Sequence, residues 1–427
     1  MQKRTIQRVL VGCPGEVGAS IVRSVESAGM EAVAAFDDRG ADAAFLDEAA
    51  YAVHVTGDAP WRDGMRIVSA ALDSGADAVH PGVAGLARDP TFARMVANVG
   101  LAWIGPLAQQ MEDAGDLDAL RRRGRDLGIE PVPHSPALTD VADIERWTSH
   151  FGSPIWVRCA TRGGPRGGLA RSVDEARRLA ARLAPHPVMV ERAILPARHV
   201  VAIVLGDGQG NALYVGDHDR SLVDARGIVR MRECPSPGFE PEARARLGDA
   251  AARLAEELKY VGVGGVEFLV GADGHAWLHD LDPGLPPGYR VHDAAYGIDL
   301  VTAQIELAGG QTLGWSQEEL RPERHAIEVV IVGEAPGEIG DLVLPDGIDV
   351  TTALVPGAAF DPARDPVLAR LRADGPTRHA AIVRLQAALR EVRIEGVPHD
   401  TDRLLALLGD PDTWEGRVHT GSWLRGL

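Results

Sequence analysis

Three acids flank one predicted turn. Glu267 sits in the apolar run Val266-Glu-Phe-Leu-Val270, and Asp280 and Asp282 end the run His275-Ala-Trp-Leu-His-Asp-Leu-Asp282. Gly271-Ala-Asp-Gly274 between them is a hairpin signal. If the turn pairs Val270 with His275, Glu267 faces Leu278, and strand alternation puts the three acids on one face. A Glu inside such a run costs free energy when buried alone. Hard oxygen ligands presented this way suit Mg²⁺ holding a nucleotide phosphate. The competing reading is a hairpin with one solvated acidic face.

The elements that must position these acids follow from periodicity. Residues 7–11 read as a strand, Gly12-Cys-Pro-Gly15-Glu-Val-Gly18 as a turn, and Ala19 to Ala28 as a helix. The strand Glu31 to Phe36 then ends at Asp37-Asp38. That layout fits a dinucleotide site, with pyrophosphate at the helix N-terminus and the acid on a ribose. It equally fits glycines used for packing alone. Further strands and helices alternate to Ile104, giving a doubly wound parallel unit. Residues 107–130 read as helical, and the run Arg121-Arg-Arg123 reads as a solvated face. Pro131, Pro133 and Pro136 mark a linker into a small α+β lobe. Its glycine loop, Thr161-Arg-Gly-Gly-Pro-Arg-Gly-Gly168, could lay backbone N–H groups over phosphates. The other reading is a hairpin tip. Alternating strands at 199–205, 212–217 and 227–232 and a helix near 242–257 lead to the acidic hairpin. The last hundred residues read as strand, amphipathic helix, strand and helix.

Composition sets the outer bounds. The chain has 427 residues, enough for two or three domains, and 45% of them are apolar, so it is globular. Its net charge of −17 argues against nucleic acid or an anionic membrane as the main partner. Neither a membrane span nor a signal-peptide pattern is visible. Cys13, Cys159 and Cys234 are odd in number and widely spaced, which points to a reducing cytoplasm rather than to disulfides or zinc. Lysine is confined to Lys3 and Lys259, so an arginine in place of a lysine is weak evidence of lost function.

Many short motifs recur in one order: Gly15-Glu16, Val79-His-Pro-Gly82, Ile104-Gly-Pro106, Gly115-Asp116, Pro154-Ile-Trp-Val-Arg158, Val190-Glu-Arg192 and Arg198-His-Val200. They continue with Asp207-Gly-Gln-Gly-Asn211, Pro235-Ser-Pro-Gly238, Val266-Glu-Phe-Leu269, Gly297-Ile-Asp-Leu300 and Arg324-His-Ala-Ile-Glu328. In this the chain resembles the biotin carboxylase family of ATP-grasp proteins along nearly its whole length. The resemblance implies a doubly wound preATP-grasp domain (1–115), an ATP-grasp core (116–320) with a mobile lid at about 132–192, and a mixed α/β C-terminal domain (321–427). Family members use MgATP and bicarbonate to make carboxyphosphate and carboxylate biotin, as subunits or domains of acyl-CoA carboxylases. Carried over residue by residue, the resemblance implies adenine reading by Glu191 and Arg192, with Ile194 and Leu269 beside the nucleotide. It puts His199 near the ribose and Arg158 in place of a lysine near the nucleotide. Gly163, Gly164, Arg166 and Gly167 would form the phosphate loop, stiffened by Pro165. Glu267 and Asp280 match the metal-holding carboxylates, and Asp282 replaces an asparagine.

The chain departs from the family where chemistry occurs. Leu117 follows Gly115-Asp116 where the family has a phosphate-binding lysine. The run Leu222–Val229 lacks the family's Gln, His and catalytic Lys, and Pro283-Gly-Leu-Pro-Pro-Gly288 lacks the Arg, Gln and Glu that hold and deprotonate bicarbonate. Thr351 or a neighbour replaces the arginine that stabilises biotin enolate. Carboxyphosphate formation needs a base and cations, so no catalytic residue is assigned and biotin is not expected as a substrate. The leading expectation is a non-catalytic or regulatory partner of carboxylase subunits or of a true biotin carboxylase paralogue, with weakened ATP and Mg²⁺ binding and a homodimer as the family's common state. The alternatives are a repurposed MgATP-dependent carboxylate ligase working through an acyl phosphate, an active biotin carboxylase, and an NAD-linked enzyme using Gly12–Gly18 and Asp37.

Overall fold

The computed structural model describes residues 3–38, 40, 44–57, 60–83, 85–140, 142–161 and 167–425. The N-terminal unit alternates β1 (Arg8–Val11), α1 (Gly15–Ser27), β2 (Glu31–Phe36), β3 (Tyr51–His54), α2 (Gly64–Asp73), β4 (Ala78–His80), α3 (Pro90–Asn98) and β5 (Ala102–Trp103). All its strand pairs are parallel, in the order β3-β2-β1-β4-β5. Its central strands read as unbroken apolar runs because helices cover both faces. Asp63 and Asp89 cap α2 and α3, each accepting from backbone N–H groups of the first turn.

The helical stretch expected over 107–130 is two helices, α4 (Ala108–Gly115) and α5 (Leu117–Asp126). Asp116 breaks it: extended backbone there lets its carboxylate accept from the Ala119 N–H and start a new helix. The small lobe comprises α6 (Ala142–Phe151), β6 (Ile155–Cys159), β7 (Gly168–Ala170), α7 (Val173–Leu183) and β8 (Val188–Arg192), in a three-stranded sheet ordered β7-β6-β8.

The largest sheet is antiparallel. It takes β9 (Ala197–Asp207), β10 (Ala212–Asp219), β11 (Met231–Cys234), β12 (Val261–Gly271) and β13 (Ala276–Pro283) from before residue 320. From beyond it come β14 (His325–Val332), a short strand at Asp349–Thr351 and a long one at Val367–Gly375. The join is β11 on β14, so one sheet runs through both C-terminal thirds of the chain. The helix Pro241–Glu257 packs on β9 and β10 through Leu247, Ala251 and Leu254. The strand expected at 227–232 is shorter and later, because Asp224 folds 222–229 into a tight turn by accepting from the N–H groups of Arg226 and Ile228. Among the described residues no helix is long and apolar enough to cross a membrane.

The Gly12–Gly18 turn is a packing device. A Cβ on Gly18 would stand 2.3 Å from the Cys13 carbonyl oxygen. Asp37 accepts from the Trp61 indole N–H at 3.2 Å. Gly18→Ala is therefore expected to cost about 1–3 kcal/mol in urea unfolding by overpacking a rigid backbone atom. A neutral result would mean α1 can shift and the glycine is not needed for closeness.

Candidate functional site

The acidic hairpin forms, but one residue out of the expected register. Val270 pairs with Ala276 and Phe268 with Leu278, and an irregularity after Phe268 then sets Glu267 opposite Asp280. The turn is longer than expected: the Gly271 N–H bonds the His275 carbonyl, and Asp273 accepts from the His275 N–H. A one-residue slip alone would move Asp280 to the opposite face. The bulge, which carries His279 as its extra residue, moves it back.

Each acid meets a cation. Glu267 accepts from His199 Nε2 at 2.8 Å and from Arg220 at 3.1 Å. Asp280 accepts from Arg158 at 3.1 Å. Asp282 accepts at 2.5 Å from Arg88, which comes from the N-terminal unit. Each acid thus has an arginine within ion-pair distance: Arg220 for Glu267, Arg158 for Asp280 and Arg88 for Asp282. Among the described residues, the one group of at least three side chains close enough to share an ion is His199, Glu267 and His279.

The run Arg121–Arg123 is not a solvated face throughout. Arg121 has no exposed surface. Its guanidinium lies 2.9 Å from Glu191 and also donates to the His279 carbonyl at 2.8 Å. Leu117, Leu120, Arg121 and Gly124 are the buried positions of α5, and Arg122 and Arg123 point away. Leu117 sits in an apolar cluster with Ala114, Leu120 and Met189. A lysine there would have to snorkel out of that core.

Arg158 on β6 joins the lobe to the hairpin. Besides Asp280 it reaches His279 Nε2 at 3.3 Å and Glu191 at 3.7 Å. Burial would lower its pKa, but Glu191 and Asp280 raise it. Burial alone would lift the Glu191 carboxyl, yet Arg121 and Arg158 hold it at about 2. Glu267 behaves the same way: Arg220 and His199 outweigh burial and hold it well below the usual carboxylate range. Burial and the neighbouring Arg158 push His279 down to about 3, so it is neutral at physiological pH.

Of the other expected nucleotide residues, His199 and Leu269 pair across β9 and β12, and Ile194 packs beside the hairpin turn near Gly271. Arg192 ends β8 with an exposed side chain. Gly167 immediately precedes β7, whereas Gly163, Gly164, Pro165 and Arg166 lie outside the described residues. Sequence reasoning missed Arg88, Arg121, Arg220 and His279. Helical spacing could have flagged Arg121, since it falls on the stripe of Leu117, Leu120 and Gly124.

Mg²⁺ takes oxygen ligands and often one or two protein carboxylates with phosphate oxygens. Glu267 and Asp280, facing across the hairpin, fit that donor set, once Arg220 and Arg158 yield their oxygens. In the segment Pro283–Gly288, Gly284 and Gly288 both take positive φ, and a Cβ on Gly288 would stand 2.1 Å from Arg232 Cδ. The loop Pro283–Gly288 therefore presses on a buried arginine with no titratable side chain of its own. The strand at Asp349–Thr351, where Thr351 or a neighbour was expected in place of the family's arginine, also carries an acid. Asp349 pairs with Arg290 at 2.6 Å and with Arg372.

Glu191→Gln should leave Arg121 buried and uncompensated, costing about 3–5 kcal/mol at pH 7 in denaturant unfolding. Because Glu191 drops from 4.5 to about 2 on folding, its contribution is whole above pH 4.5 and is lost as pH falls towards 2. The gap between variant and parent should close over that window. A gap that is constant from pH 7 to pH 3 would contradict the pairing.

Comparisons with known proteins agree with this architecture. Residues 5–111 match the family model for the biotin carboxylase N-terminal domain, residues 118–316 that for the carbamoyl-phosphate synthase L chain ATP binding domain, and residues 332–425 that for the biotin carboxylase C-terminal domain. The chain is 30% identical to biotin carboxylase 1 of Bacillus subtilis, covering 97% of each protein. It is 29% identical to the mitochondrial methylcrotonoyl-CoA carboxylase subunit alpha of Mus musculus over 97% of its own length, but spans only 61% of that protein. Among solved structures, the biotin carboxylase domain dimer of Hydrogenobacter thermophilus 2-oxoglutarate carboxylase, in complex with MgADP, ADP and bicarbonate, superposes with a TM-score of 0.93. That match is 27% identical and covers 100% of this chain and 98% of the other.

Proposed function

The chain belongs to the biotin carboxylase family of ATP-grasp proteins, and from that premise we propose that it does not carry out ordinary biotin carboxylation. It acts instead as a non-catalytic or regulatory partner in a carboxylase-type assembly. One observation carries this reading: the loop Pro283–Gly288 offers no acid, base or cation where the resemblance implies capture and deprotonation of bicarbonate. Loss of one transition-state donor typically costs a hundredfold or more in rate, and a missing general base adds its own factor.

The surrounding charges support the same reading. Arg158 and Arg220 bind Asp280 and Glu267, so MgATP must break two ion pairs to enter. Within the turn over 222–229 Asp224 pairs with Arg226, and Arg230 just beyond it pairs with Asp224 and Asp400. The domains proposed are a preATP-grasp unit to about residue 115, a core with lid to about 320, and a C-terminal unit beyond. A homodimer is proposed because the solved Hydrogenobacter relative is a dimer.

A second reading is a repurposed ATP-dependent carboxylate ligase. It is favoured by the presence of Arg121, Arg158, Arg220, Glu191, Glu267 and Asp280 on and around one hairpin. Such buried charges cost desolvation free energy, which a purely structural hairpin could avoid with apolar residues.

The deciding assay is ADP release with MgATP, bicarbonate and free biotin. The proposal expects no ADP release that depends on bicarbonate and biotin together, measured against an active relative at equal concentration. Release requiring both would make the protein an active biotin carboxylase. Release dependent on another carboxylate with an amine or thiol acceptor would establish the ligase.

A further inference from the structure

We propose that His199, Glu267 and His279 form a site for a d-block divalent cation of the Zn²⁺ or Co²⁺ type, which shares Glu267 with the carboxylate pair that suits Mg²⁺ but adds two imidazoles in place of Asp280. One ligand atom from each of the three lies within 4.8 Å of the others. The rings of His199 and His279 stand 5.5 Å apart and nearly perpendicular, at 84°, so they approach the shared space from different directions. Two imidazoles and a carboxylate are the donors of a three-ligand zinc site with an open position. Magnesium has little use for imidazole nitrogen, whereas zinc, cobalt and nickel accept it readily.

A second observation points to a ligand independently of the spacing. His279 has a buried Nδ1 that meets no hydrogen-bond partner among the described residues. The bulge inserts this imidazole between Leu278 and Asp280 with Arg158 3.3 Å from Nε2 and no partner among the described residues for Nδ1.

The outer contacts would orient these ligands. Arg220 holds one oxygen of Glu267 at 3.1 Å, leaving the other, now on His199 Nε2, for a cation. Arg121 fixes the His279 main chain through its carbonyl. Arg158 can release His279 and keep Asp280 and Glu191. Each of the three arginines is already matched by a carboxylate, so a dication would meet a neutral setting, and its free positions would take water or an anion.

The test uses the whole chain, stripped of metal, and titrates Zn²⁺ alone by calorimetry, with Co²⁺ absorption as a geometry readout. One equivalent should bind, with the visible bands of four- or five-coordinate Co²⁺. Loss of outer-shell partners alone costs about 10–100-fold in metal affinity. His279→Gln and His199→Asn should therefore each weaken Zn²⁺ at least tenfold, and a tenfold excess of Mg²⁺ should not displace it. His279→Gln removes no charge from the neutral ring, so its fold can be checked by thermal unfolding. Unchanged Zn²⁺ affinity in both folded variants, or absence of a stoichiometric site, overturns the proposal. Neither result bears on bicarbonate-dependent ADP release, because no nucleotide is present.

Discussion

The buried pair of Arg121 and Glu191 is the constraint on which the charged cluster around the hairpin depends. Both side chains are shut away from water, at 0% and 3% exposure. A guanidinium in that position is tolerable only if its charge is matched and its donors are used. Glu191 matches the charge, and the His279 carbonyl uses two of the donors. The same arginine therefore ties a core helix to the lobe strand β8 and to the bulge in the acidic hairpin. Arg158 adds a second tie between lobe and hairpin through Asp280.

Arginine suits this arrangement. Its fork carries five donors and keeps its charge when buried, so one side chain can serve several acceptors. In a chain with only Lys3 and Lys259 as lysines, arginine takes every such role. The outcome is a cluster in which the expected metal-holding acids are paired with arginines. A retained acid is then no sign by itself of retained catalysis. What matters is whether its oxygens can be won from the arginines that hold them.

Much of the architecture was legible in the sequence because periodicity reports burial. The parallel N-terminal unit follows from apolar runs separated by amphipathic helices, and the order of motifs carried the family. The hairpin register was less legible. Turn length and a bulge shift it by single residues, and both leave the same apolar alternation behind. That His279 would be the inserted residue is a tertiary fact, fixed by Arg121 on its carbonyl. The arginine run was misread because a run shows composition, while burial follows the helical phase. Arg121 shares the stripe of Leu117 and Gly124, and its neighbours do not. Arg220 was invisible for another reason: it lies just before the segment where the family's cations were sought, at the end of β10, whose pairing with β9 carries it to Glu267.

The account's central claim is that arginines already occupy the carboxylates a metal-bound nucleotide would need. Calorimetric titration of ATP, with and without Mg²⁺, tests this most directly. The account predicts that Mg²⁺ leaves ATP affinity unchanged or lowers it, since Glu267 and Asp280 stay with Arg220 and Arg158. Micromolar binding that appears only with Mg²⁺ would contradict it, because the ion pairs would then yield to the metal.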